Sequence, residues 1–83
     1  MHNYWLNISF RRGDLVYWNR RAYNASDWGF LISNYGSQPM TIDSVYYDPF
    51  FSEIRIDVIA QGRLVTAIDP KKVLKVSEAF IAH

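Results

Sequence analysis

The sequence predicts an all-β fold, a small barrel of five to seven short antiparallel strands with a 3₁₀ turn before the last strand and a short C-terminal tail. Three observations predict it. Apolar residues recur with period two, at Tyr4, Leu6, Ile8 and Phe10 and again at Ile54, Ile56, Val58 and Ala60. Gln61-Gly62 stands between two such runs as a two-residue hairpin turn, with Gly free to take positive φ. Finally, 83 residues that are 49% hydrophobic and 17% aromatic allow one core, hence a single domain over 1–83 with a radius of gyration of about 12 Å. A sheet this small is best protected from edge pairing by closing on itself.

Each element has its own warrant. Residues 1–10 form an extended arm or strand by their alternation, and Arg11-Arg12-Gly13-Asp14 is a turn. Leu15-Val16-Tyr17-Trp18 is a β-branched and aromatic strand. Asn19 to Asp27 reads as a polar loop, and Trp28 to Ser33 as the next strand, with a bulge at Gly29. Residues 36–51 stand out as an aromatic insertion. Within it Thr41 to Tyr47 has strand-forming residues, and Asp48-Pro49 breaks the chain. Ser52 to Ala60 and Arg63 to Ile68 make the hairpin about Gln61-Gly62. Asp69-Pro70-Lys71-Lys72 predicts a single 3₁₀ turn, because Asp can cap it and Pro presets φ. Val73 to Val76 closes the set, and 77–83 is a tail that either forms a short helix or frays.

Composition excludes whole classes of function. With no Cys there is no disulfide scaffold, iron–sulfur cluster or thiolate zinc site. No stretch approaches the roughly 20 apolar residues of a membrane span, and the first ten residues do not read as a signal peptide. The two Asn-x-Ser sequons, at Asn7 and Asn24, are then chance matches. Both histidines, His2 and His83, sit at the ends of the sequence, where nothing holds them for acid–base work. No P-loop, dinucleotide fingerprint or nucleophile elbow is present. Asp43, Asp48, Glu53 and Asp57 fall close together in sequence, but they read as strand and turn residues rather than a cation site. The expectation is no enzyme, no catalytic residue, no metal, no cofactor and no small-molecule substrate.

The net charge of +1 is too small for a general grip on nucleic acid. It is unevenly spread. Residues 1–23 set Arg11, Arg12, Arg20 and Arg21 against Asp14; residues 24–57 set Asp27, Asp43, Asp48, Glu53 and Asp57 against Arg55. The final third is basic again, through Arg63, Lys71, Lys72 and Lys75. Such polarity lets one copy's basic surface meet another's acidic one.

The aromatic residues carry the functional expectation. Filling a small barrel sends Phe30 and either Tyr17 or Trp18 inward. Tyr46, Tyr47, Phe50 and Phe51, with Tyr4 and Trp5 in the arm, are more than so small a core can hold. They either fold back over the barrel's ends or anchor into partner proteins, as Tyr, Trp and Phe do at interfaces. The favoured partners are protein subunits of a larger assembly, copies of this chain included. The alternative is a nucleic-acid surface of Arg11, Arg12, Arg20 and Arg21, with Trp18 and Trp28 as stacking platforms.

The order of elements resembles the Src-homology-3-like (SH3-like) small barrels. The resemblance covers residues 10 to 76 and rests on Gly13-Asp14-Leu15-Val16, Trp28-Gly29-Phe30-Leu31-Ile32, the hairpin from Ile54 to Ile68, and the run from Ile68 to Val76. The signalling branch's acidic, tyrosine-rich motif is replaced by Leu15-Val16-Tyr17-Trp18, so Pro-rich ligands are not implied. Within the group the chain looks most like small proteins of tailed bacteriophages, some of them virion components. That implies a structural protein for capsid decoration, capsid cement or the tail, made in the host cytoplasm and then held in the virion.

Overall fold

The computed structural model describes residues 10–76, which fold with a radius of gyration of 12.7 Å. The expected tail at 77–83 and the arm before Phe10 lie outside the described residues. Five antiparallel strands form one sheet: β1 Leu15–Trp18, β2 Met40–Asp48, β3 Glu53–Ala60, β4 Arg63–Ile68 and β5 Val73–Lys75. Their order across the sheet is β4-β3-β2-β1-β5. A 3₁₀ turn, Arg20–Ala22, and an α-helix, α1 Ala25–Tyr35, connect β1 to β2; a second 3₁₀ turn, Pro70–Lys72, precedes β5.

Two expectations need correction. Trp28 to Ser33 is helix, not strand, and the expected loop at 19–27 holds the first 3₁₀ turn and the start of that helix at Ala25. Asn24 caps α1, its side-chain oxygen accepting from the Asp27 N–H at 2.8 Å, and Gly36 ends it at φ 76°. Between those stops Trp28, Leu31, Ile32 and Tyr35 recur at helical spacing and turn together onto the core. The opposite side is left to solvent, so Phe30 is exposed instead of filling the interior.

The sheet, secondly, is not a closed barrel: it ends on β4 and β5, which do not pair with each other. The helix covers the core face of the sheet instead, and among the described residues β4 and β5 remain its edges. Val16, Trp18, Met40, Ile42, Ile56, Val58, Ala60, Ile68 and Val73 form the buried core on the face that α1 packs against. Trp18 is therefore the inward member of the Tyr17–Trp18 pair.

The local turn chemistry follows expectation. Ala60 pairs with Arg63 across Gln61 and Gly62, which have φ of 52° and 79°, the double positive φ of a mirror-image hairpin turn. Asp69 caps the second 3₁₀ turn by accepting from the Lys71 N–H at 2.9 Å. Most of the residues expected as an insertion belong to β2, a nine-residue strand at the middle of the sheet.

Candidate functional site

β2 and β3 outrun their neighbours. β1 pairs with β2 only at Leu15↔Thr41 and Val16↔Met40, and β4 reaches β3 no further than Ile56↔Ile68. Beyond Val45↔Ile56 the two strands pair with each other alone, through Tyr46↔Arg55, Tyr47↔Ile54 and Asp48↔Glu53. A two-stranded ribbon is marginal by itself in water, so its base must be held.

Asp57 holds it. Its Oδ1 accepts from the Tyr46 hydroxyl and the Ala67 N–H, both at 2.9 Å, and its Oδ2 from the Ser44 hydroxyl at 3.1 Å. One carboxylate thus ties β2, β3 and β4 together where both outer partners change register. β2 carries an extra residue between Ile42 and Ser44, and β4 carries one between Val65 and Ile68. Ala67 takes φ 59° at the second of these bulges. Burial and the Asp57 bond raise the Tyr46 phenol's pKa above its ordinary value, keeping it a donor.

The ribbon's tip is aromatic. Asp48 Oδ1 accepts from the Phe50 N–H at 2.9 Å, and Ser52 takes φ 54° to complete the reversal. Phe50 and Phe51 meet edge to face with ring centres 4.9 Å apart. The Arg55 guanidinium lies 4.6 Å from the Phe51 ring centre and pairs with Glu53 at 3.3 Å. Tyr46 and Tyr47 are sequence neighbours, so they face opposite sides of the ribbon. Tyr47 is 59% exposed, Phe50 86% and Phe51 50%. These rings lie outside the core, which is complete without them.

The alternative surface is partly dismantled. Trp18 is buried, in ring contact with Tyr23 and Tyr35, and cannot stack on a base. Arg11 and Arg12 lie before β1, whereas Arg20 and Arg21 lie after its other end, so the four arginines form no single patch. The fold instead joins Arg20 and Arg21 to Lys71 and Lys72. Asn19 does this by donating from its backbone N–H to the Lys72 carbonyl at 2.8 Å and from its side chain to the Lys71 carbonyl at 3.1 Å. Lys72 Nζ in turn donates to the Ala22 carbonyl at 2.9 Å.

Aromatic rings line this basic cluster. Arg20 sits 5.3 Å from the centre of the half-buried Trp28 ring, and Lys72 sits 4.5 Å from that of Tyr23. Burial first, then the carboxylates of Asp69 and Asp27, push the Tyr23 phenol up to about 12.

Sequence reasoning did not reach Lys71, Lys72 or Asp57 as partners of these sites. The cap-and-proline signal placed Lys71 and Lys72 on their turn, but nothing local announces that Asn19 will bind it. Tyr4 and Trp5 lie outside the described residues. Among the described residues no group of three or more His, Cys, Asp or Glu could hold a metal ion, and no helix is long and apolar enough to cross a membrane. No protein-family model, curated protein or solved structure matches the chain.

Proposed function

We propose that this chain is a non-enzymatic docking module that engages other protein subunits through the β2–β3 ribbon. The observation that carries the reading is the exposure of Tyr47, Phe50 and Phe51 on a ribbon that the core does not need. At their fractional exposures the three rings offer roughly 300–500 Å². That is about half of what one partner contributes to a standard interface. Val45, itself 38% exposed, extends the same apolar side. In this reading Tyr46 belongs to the ribbon's support, through Asp57, rather than to its contact surface.

The SH3-like assignment and the role in a bacteriophage particle are part of the same proposal. The first is supported by the adjacency of the first and last strands and by the 3₁₀ turn that leads into the last one. The second rests on the sequence resemblance. A photoreactive side chain in place of Phe50, activated in cells that make the protein, tests the docking. Discrete cross-linked species are expected from position 50 and not from position 30, which is also exposed; no adduct at either position removes the reading.

A second reading is favoured by one observation, the gathering of Arg21, Lys71 and Lys72 with Arg20, which lies over Trp28. In it this end of the molecule binds nucleic acid, with Trp28 stacking on a base. Titration with oligonucleotides tests it, since such binding weakens steeply as salt rises.

A further inference from the structure

The two charged regions of this molecule are built by different means and end up on different parts of the sheet. The ribbon concentrates acid. Asp48 and Glu53 stand directly opposite each other on its last rung, with Asp43 and Asp57 at its base, and Arg55 is its single cation. Like charges facing each other across a rung disfavour the isolated ribbon. Such an arrangement becomes favourable when a cationic surface covers the tip.

The same chain presents that surface. Arg20, Arg21, Lys71 and Lys72 are brought together by Asn19 and Lys72, and they outnumber the nearby carboxylates of Asp69 and Asp27. Among the described residues none of the four makes an ion pair, the two present being Arg55–Glu53 and Lys75–Asp14. Arg20 lies over the half-buried Trp28 ring and Lys72 over Tyr23, whose ring meets Trp28, so the cations border an aromatic seat for an incoming phenyl group. The seat follows Trp18, the end of β1 that runs past the start of β2 at Met40, while the tip lies at the end of β2.

Resting on the docking reading above, we infer that the ribbon's partner is a second copy of this chain: Phe50 and Phe51 of one molecule lie against Trp28 of the next, and Asp48 and Glu53 meet Arg20, Arg21, Lys71 and Lys72. Two different patches meet, so each molecule both gives a tip and receives one, and association builds reciprocal pairs, rings or open chains according to whether the rotation closes. Charge sets the orientation and the rate of encounter, and the rings supply the buried area.

Sedimentation velocity of the full chain over a range of concentration and salt tests this. The wild type is expected to associate at low salt and to dissociate as salt is raised past physiological strength. One variant, Asp48→Asn with Glu53→Lys, keeps an acceptor for the Phe50 N–H but removes the acid. The other, Arg21→Glu with Lys71→Glu, inverts two exposed cations. Each alone is expected to weaken association at least about tenfold with its circular dichroism unchanged, and an equimolar mixture of the two to recover it.

A wild type that stays monomeric, or a mixture that fails to recover, overturns the second-copy inference. So does a basic patch that binds oligonucleotides and shows no association. The docking reading fails separately. A position-50 adduct with a different protein removes only the second copy as partner, whereas no adduct removes both.

Discussion

Replacing Asp57 by Ala tests whether one carboxylate holds the ribbon to the sheet. The change removes three hydrogen bonds at once, from the Tyr46 hydroxyl, the Ser44 hydroxyl and the Ala67 N–H. A hydrogen bond to a charged group is worth about 1.5–3 kcal/mol. Ser44 and Tyr46 are only half-buried and recover part of theirs from water, while Ala67 loses the partner that supports its positive φ. A net loss of about 3 kcal/mol results, and for a domain of this size that lowers Tm by roughly 12–24 °C.

Thermal unfolding followed by circular dichroism measures the total, and amide hydrogen exchange locates it. Exchange should quicken first at residues 44–48 and 53–56, while β1 and β5 keep their protection. Asp43→Ala, at the neighbouring bulge, is the control and should stay within about 0.5 kcal/mol of wild type. If Asp57→Ala is as mild as its control, or if exchange quickens evenly over the sheet, Asp57 does not anchor the ribbon.

Phe50→Ser with Tyr47→Ser should leave Tm within a few degrees of wild type while reducing self-association, because both rings are exposed. Gly36→Ala should lower stability by more than about 1 kcal/mol, since Gly36 has φ 76° and an added Cβ would strike the Gln61 side chain. Combining it with Gln61→Ala should recover only the part due to the clash. Asn24→Ala should cost about 1 kcal/mol in chemical denaturation by uncapping α1. Tyr23 is held neutral up to about 12 against an ordinary value of 10.0, so its contribution is whole below pH 10 and is lost as pH rises toward 12. Phenolate absorbance should include a step near pH 12, and Tyr23→Phe should remove it.

The strands around turns of fixed chemistry were legible in the sequence. Gln61-Gly62 and Asp69-Pro70 determine backbone geometry within a few residues, and β3, β4 and β5 follow from them. The helix was hidden by its own composition. Trp28-Gly29-Phe30-Leu31-Ile32 is a run without a polar residue in which Trp, Phe and Ile favour strand, and Phe30 fills the gap that would have exposed a helical stripe. The opposing signals were Asn24 three residues before Asp27 and Gly36 after Tyr35, and they decide because they satisfy the backbone groups at the helix ends. The basic cluster was illegible for another reason. Arg20 and Lys71 are remote in sequence, and the pairing of Trp18 with Val73 and the Asn19 hydrogen bonds bring their turns side by side only in the fold.

The placement of the aromatic residues separates the two uses a small domain has for them. Trp18, Tyr23, Trp28 and Tyr35 form a connected chain of rings beneath α1, with centroid separations of 5.9–6.3 Å. Removing Trp18 opens a space in the interior, and removing any of the other three uncovers part of the core they pack against. Phe50 and Phe51 touch each other and Arg55 instead, at the end of a ribbon that leaves the sheet. A ribbon serving stability alone would gain from ending in a short polar turn, because an exposed phenyl group contributes little to folding and raises the risk of aggregation. The acid on its last rung works against the isolated ribbon as well. Both features carry a cost in the free molecule, and a cationic, ring-lined seat on a partner would relieve the two together.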